Sequence, residues 1–285
     1  INFAVNSTNW PGKAAVVVSL VSIHKGKWEK CYIAQKRANF ITTLLQNGIS
    51  NDFPYILEGN ANKGFIGNYV LGDGFILTFD KASKLLEKEK KNRDVIFQYL
   101  NGADLNSTVD QTASRYIINF FDMPLKRQDY NIWQVADENQ IKEWEKIEGI
   151  VRPDYDGSVA SDYPDCLNIV MEKVYPERIK KKEKGVRIKW WRHARYRPNL
   201  YKAAENLDKV IVIAQVSKTV AFSFVPNNQV LDTQLTVIAS DKSTLFGILQ
   251  SSVHYNWAWK YCTTMKNDLR YVVQSVFETF PFPQN

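Results

Sequence analysis

The chain has 285 residues, 45% of them hydrophobic and 24% charged, with a formal charge of +7 at neutral pH. That length admits one large domain or two medium ones with a substantial core, and the composition excludes a disordered or fibrous chain. The longest apolar run, AAVVVSLVSI at 14–23, falls short of the roughly 20 residues a bilayer span needs, so no membrane partner is expected. No signal peptide precedes it, and Cys31, Cys166 and Cys262 are odd in number and far apart. They read as reduced thiols of a cytoplasmic protein.

The first residues, INFAVNSTNW, lack an initiator Met and read as chain already inside a folded element, so a piece of a longer polypeptide is expected. Residues 13–23 are rich in β-branched side chains and predict a strand buried on both faces, the habit of a mostly parallel sheet. HKGK at 24–27 is a turn, and 28–34 a possible return strand. This looks like the last hairpin of an upstream α/β domain. Glycines then punctuate NKGFIGNYVLGDGFIL at 62–77, where Gly72-Asp73-Gly74 reads as a hairpin turn between short strands. Asp80 is placed to cap a helix running to about residue 91, with Leu85 and Leu86 on its apolar side. A second short helix is predicted over 95–100, a turn at Asn101-Gly102, a strand over 116–121 and a charged helix over 139–148.

Leu167, Val170, Met171 and Val174 have core spacing in a helix over 165–175, stopped by Pro176. Pro198 can open another helix over 199–207 from its first turn. Strands are predicted over 209–215, 220–225 and 234–240, and one long helix over 243–260. The chain closes on VFETFPFPQN, where two prolines forbid regular structure and the phenylalanines form an apolar plug. The expected fold class is α+β, with short mixed sheets and helices.

No GxSxG, P-loop, HExxH or dinucleotide fingerprint occurs, and His24, His193 and His254 have no local partner that suggests a triad or metal site. No catalytic, cofactor-binding or metal-ligating residue is therefore expected. Charge clustering is different. The window 178–197 holds ten Lys and Arg against one acid, Glu183, a local +9 that leaves the remainder slightly acidic. Such a patch attracts a polyanion and releases its counterions, and arginines suit phosphate forks and guanine edges. The candidate DNA contacts from this window are Lys180, Lys182, Arg187, Lys189, Arg192, Arg195 and Arg197. Trp190 and Trp191 are adjacent, so in a strand one of them faces the core, and Trp191 joins the candidates as the exposed ring. Polar loops supply Lys218 and Thr219, then Asn227 and Asn228, and the predicted long helix supplies Ser252 and His254 as possible base or backbone contacts.

Several blocks, read in order, resemble one family. INFAVNSTNW and AAVVVSLVSI look like the last conserved strand of a gamma-class N6-adenine DNA methyltransferase. GNYVLGDGFIL, YLNGADLN, SRYIINF, the WW…RP block, QVSKTVAFSFVP, FGILQSSVHYNWAW and VFETFPFP resemble the target recognition region of MmeI-like (type IIL/IIG) restriction–modification enzymes. The resemblance implies a methyltransferase remnant over 1–34 and a DNA target recognition domain over 35–285. It implies a parent enzyme that transfers methyl from S-adenosylmethionine to adenine N6 in a specific duplex sequence, with linked cleavage. The family's cofactor-binding glycine motif and its Asn-Pro-Pro-Phe/Tyr motif do not occur in this chain. No cofactor is thus expected in this chain, S-adenosylmethionine belonging to the parent, and double-stranded DNA and the upstream methyltransferase domain are the expected partners. The alternative is a non-enzymatic DNA-binding specificity subunit or a phage-defence scaffold on the same fold. A free-standing subunit would leave the N-terminal strand's apolar edges without a parent sheet.

Overall fold

The computed structural model describes residues 1–42, 45–48, 54–265 and 268–283. The chain folds as two units, Ile1–Tyr55 and Ile56–Asn285. The first is one layer of four strands, β1 (Phe3–Asn9), β2 (Val17–Ser22), β3 (Cys31–Ile33) and β4 (Lys36–Ala38), in the order β2-β1-β3-β4. Ala4, Cys31, Ala38 and Ile41 form its small core. The expectation of a doubly buried strand over 13–23 is not met. β2 is an edge strand antiparallel to β1, and Val17, Leu20 and Val21 are exposed. β-Branched composition sets the extended backbone, but burial needs a layer on each face, and no helix is assigned in this unit among the described residues.

The second unit is α+β, built from small sheets with helices between them. In the first of these sheets, β5 (Gly64–Ile66), β11 (Lys209–Ala214), β13 (Ser223–Pro226) and β15 (Leu235–Ile238) pair antiparallel in the order β13-β11-β15-β5. β11 reads KVIVIA because both of its faces are covered. Ile211 and Ile213 join a cluster with Phe222, Leu249, Tyr271 and Phe277, while Val210, Val212 and Ala214 join another with Leu100, Leu200 and Val237. Alternate residues thus serve two cores.

A second sheet has the order β14-β7-β8-β6, from β6 (Ile76–Leu77), β7 (Ile96–Leu100), β8 (Arg115–Ile118) and β14 (Val230–Leu231). Helices α1 (Phe79–Lys88) and α5 (Pro164–Lys173) pack on its core through Ala82, Leu85, Leu86, Cys166 and Val170. Here three expectations are corrected. Residues 96–100 form strand β7, because so short a run cannot distinguish the two periods and the paired β8 decides. Thr78, not Asp80, caps α1, its hydroxyl accepting from Lys81 N at 3.4 Å, and the helix ends at Lys88. Gly72-Asp73-Gly74 is not a hairpin turn, since β5 and β6 belong to different sheets and Asp73–Phe75 forms a 3-10 turn between them. Asn101-Gly102 opens α2 (Gly102–Ser107), with the Asn101 side chain as its cap.

Parallel β9 (Lys126–Arg127) and β10 (Ile150–Val151) flank α3 (Tyr130–Val135) and α4 (Glu138–Glu143). Gly149 closes this excursion at φ +69°, and a Cβ there would lie 2.4 Å from the Trp191 ring. Gly149→Ala is expected to cost about 2–4 kcal/mol, combining a left-handed backbone with an overpacked ring. The midpoint of urea unfolding checks this. Next come α6 (Tyr175–Arg178), α7 (Lys184–Ile188) and α8 (Pro198–Ala204). The predicted single helix over 243–260 is two, α9 (Ser243–Leu249) and α10 (Ser252–Tyr261), because Ser251 turns its hydroxyl to His254 N and caps the second. A third sheet joins β12 (Val216–Ser217), β16 (Thr263–Met265) and β17 (Asp268–Arg270) in the order β12-β17-β16. At the C-terminal end Phe277 and Phe280 are buried, and the Asn60 side-chain amide donates to the carbonyls of Phe277, Glu278 and Phe280.

Candidate nucleic-acid interface

The basic window folds around one buried cation. Arg178 ends α6 with 1% of its surface exposed, and no carboxylate pairs with it among the described residues. Its guanidinium donates instead to backbone carbonyls from two segments: Leu71 at 2.7 and 3.1 Å, Val70 at 2.6 Å, Trp190 at 3.3 Å, and Arg192. Burial lowers its pKa to about 10. The turn after α7 is thereby tied to the chain before β6. Around this pin, apolar and imidazole side chains go inward and ammonium groups outward.

Trp191 is 0% exposed, its Nε1–H donating to Met123 O at 2.9 Å, and Trp190 beside it is also buried. The assignment of Trp191 as the exposed ring is therefore corrected. Residues 189–192 are a turn rather than a strand, so adjacent side chains need not alternate, and both rings pack on the same cluster. Arg192 lies over the Trp191 ring at 5.4 Å and donates through Nε to Met123 O at 3.0 Å. Arg187 donates to the carbonyls of Lys181 and Lys182, and Arg197 to Gly67 O. Lys180, Lys182, Arg187, Lys189 and Arg195 are exposed. Among the described residues no cation of the window forms an ion pair, so the charge of its exposed members faces solvent.

Through Tyr69, Arg195 adjoins the first of two neighbouring clefts. It forms a β-bridge with Tyr69 and sits over the Tyr69 ring at 6.0 Å. Tyr69 lines a cleft of about 460 Å3 with Asp73, Asn101, Arg115, Asp232 and Gln234. Its wall is fixed by the buried Tyr99 hydroxyl, which donates to Asp232 Oδ2. That burial, with the carboxylate beside it, pushes the Tyr99 pKa far up, so the phenol stays a donor. Arg115 lies 6.0 Å over the Tyr99 ring with its guanidinium exposed. Gln234 also lines a second cleft, of about 600 Å3, with Asn106, Gln215 and Arg270. Its Oε1 accepts from Gly102 N at 3.2 Å, and no bond among the described residues engages its Nε2. Arg195, Tyr69, Arg115, Gln234 and Arg270 thus follow one another across polar ground with free donors.

Residues 153–284 match the family model described as MmeI, target recognition domain. Those residues are similar to the target recognition domain of MmeI. A solved structure of the type IIL restriction–modification enzyme MmeI in complex with DNA superposes with a TM-score of 0.59 at 17% identity. The match covers 99% of this chain and 35% of that one, so the chain spans about a third of the length of that enzyme, and the likeness is one of fold. No curated protein matches. The resemblance to MmeI-like recognition regions is borne out.

Within this fold the remaining candidates divide. Lys218 and Thr219 are exposed just beyond β12, whose Val216 lines the second cleft. Asn227 and Asn228 lie at the other end of β11, roughly 17 Å from the cleft by strand rise. Asn227 is committed to the Ala204 and Leu207 carbonyls, while Asn228 is exposed. Ser252 is exposed in the first turn of α10. His254 is 0% exposed, with its Nε2 at 3.0 Å from the Tyr271 hydroxyl, so it is a core residue and not a contact. The helix break at Ser251 turned that face into the aromatic cluster of Phe222, Phe280 and Tyr271.

Sequence reasoning missed Tyr69, Arg115, Gln234 and Arg270. Arg270 follows the buried Leu269 on β17, and Gln234 sits between β14 and β15, yet nothing in their spacing marks them. Strand pairing alone brings them together. Among the described residues no group of three His, Cys, Asp or Glu side chains is placed to hold a metal ion, and no helix is long and apolar enough to cross a membrane.

Proposed function

We propose that this chain is the duplex-reading part of a sequence-specific DNA methyltransferase of the restriction–modification class. The observation that carries the proposal is the match of residues 153–284 to the MmeI target recognition domain. An unpaired cationic surface that runs into a polar cleft on the same unit agrees with it. Lysines from Lys180 to Lys189, with Arg195, would fix register on phosphates, since such contacts position a protein without reading sequence. Arg115, Gln234 and Arg270 carry the planar or forked donors that discriminate base edges in the major groove. Arg197 and Asn227, already bonded to backbone carbonyls, would shape this surface more than touch DNA.

Adenine N6 as the methylated atom, S-adenosylmethionine as the donor and linked cleavage belong to the proposal for the parent protein. This chain holds neither of the family's two catalytic-domain motifs, so none of its residues is assigned to the cofactor. Residues 1–34 would complete the upstream methyltransferase sheet, which gives the exposed apolar side chains of β2 a partner.

Selection of bound duplexes from a randomised pool by the 285-residue chain tests the recognition claim. A short defined motif should emerge, and Gln234→Ala should relax it at one position, by about 1–3 kcal/mol of discrimination. Uniform recovery of the pool would contradict sequence reading. Methylation-sensitive sequencing of DNA exposed to the full-length parent tests the adenine assignment.

A further inference from the structure

Beneath the basic window lies a small cavity of about 220 Å3, lined by Arg178, Glu183, Lys189, Arg192, His193 and neighbouring backbone. Three of its side chains are permanent cations, and one, Glu183, is an acid. Arg178 is buried and Arg192 partly so, and neither has a carboxylate within ion-pair distance among the described residues. Every donor nitrogen of Arg178 is spent on carbonyls. Arg192 spends only Nε, on Met123, which leaves its two terminal nitrogens as a free fork. Lys189 is exposed at the rim, and no hydrogen bond among the described residues engages its ammonium. His193 is 5% exposed, with Nε2–H donating to Ile118 O at 2.9 Å and Nδ1 without a partner.

Charges removed from water are costly unless an opposite charge or strong hydrogen bonds meet them. Desolvation acts on both guanidiniums; backbone carbonyls accept from every nitrogen of Arg178 but only from Nε of Arg192, on which the Asp122 carboxylate acts from beyond ion-pair distance. Its lining sets one carboxylate, Glu183, against three cations. The volume holds several waters at about 30 Å3 each, so a tetrahedral oxyanion fits with water to spare. An arginine fork beside a mobile ammonium matches its oxygens, the fork giving direction and the ammonium a point charge.

We propose that this cavity is a built socket for one phosphate group, held by Arg192 and Lys189 over the Arg178 floor. For the duplex arm, which rests on the DNA reading above, the group is a single backbone phosphodiester; free phosphate is the other source of the same chemistry. Glu183 opposes the anion from the rim and weakens the socket.

Melting temperature of the 285-residue chain in inorganic phosphate, against chloride at equal ionic strength, tests the socket directly. Wild type should gain roughly 3–6 °C at a phosphate concentration about twenty times the dissociation constant. Lys189→Ala should melt with wild type in chloride and lose most of that gain, and Glu183→Gln should enlarge it. Equal phosphate shifts in wild type and both variants would reflect general salt effects and would overturn the proposal, whether or not the chain binds DNA. In a parallel duplex titration, Lys189→Ala should reduce the slope of log K against log salt by about 1. A phosphate-specific shift with an unchanged slope supports the socket with free phosphate as its ligand. A phosphate-specific shift in a chain that binds no duplex supports the socket and removes the DNA reading instead.

Discussion

Arg178→Ala is expected to lower stability by about 3–5 kcal/mol, as a change that breaks a buried hydrogen-bond network does. The loss comes from what is left behind. Carbonyls of Val70, Leu71, Trp190 and Arg192 would face a cavity with no donor, and each buried unpaired polar group costs about 1–3 kcal/mol when water cannot replace the bond. The same guanidinium lies 5.0 Å over the Phe75 ring, so packing is lost as well. Arg178→Lys should recover only part of the loss, because one ammonium cannot reach two chain segments in the directions a planar fork does. Urea unfolding of the two variants measures the difference. A loss below about 1 kcal/mol for Arg178→Ala would mean that water takes over the carbonyls, and that the pin does not hold the basic turn.

Acid should destabilise the chain well above the range where carboxylates titrate. His193 and His254 are buried, and desolvation lowers each pKa from 6.5 to about 4. Both are therefore neutral in the folded state across a range where the unfolded chain binds protons. Stability from these two residues is fully present above about pH 6.5 and is lost progressively as pH falls toward 4. Between pH 7 and pH 5 the loss is about 2 kcal/mol for each histidine. His254→Asn should remove about half of this slope while lowering stability at neutral pH. Urea midpoints at about pH 7, 6 and 5 read the effect, and a flat profile would show that both imidazoles charge without unfolding.

How much of this was legible in the sequence depends on how local each signal was. The basic window was visible because its ten cations crowd into one short stretch, and so was KVIVIA, whose two-sided burial is written as an unbroken apolar run. The ordered blocks from GNYVLGDGFIL to VFETFPFP carried a resemblance to MmeI-like recognition regions, and the match over 153–284 bears it out for the blocks from WW…RP onward. What failed depended on distant partners. Trp191 is buried by an acceptor at Met123, and His254 by Tyr271 and Phe280, none of them visible from local periodicity. Residues 95–100 read equally as helix or strand until β8 is placed beside them. Tyr69, Arg115, Gln234 and Arg270 are scattered along most of the chain, and only the pairing of β7, β8, β12 and β17 gathers them about the clefts. A surface made by sheet topology has no motif to find.

In the proposed function, this chain grips a duplex through the exposed cations of 180–197. The most direct test is equilibrium binding of the 285-residue chain to duplex DNA across a salt series, with Arg195→Ala alongside. Arg195 is chosen over Arg192 because it is exposed and its side chain makes no backbone bond that holds the fold. With about four to six phosphate contacts, affinity should fall roughly a hundred- to a thousandfold between about 50 and 200 mM salt. Arg195→Ala should weaken binding roughly fivefold and flatten the slope by about 1, with unfolding unchanged. Binding that is absent at low salt, or present and indifferent to salt, would contradict a phosphate grip by this window.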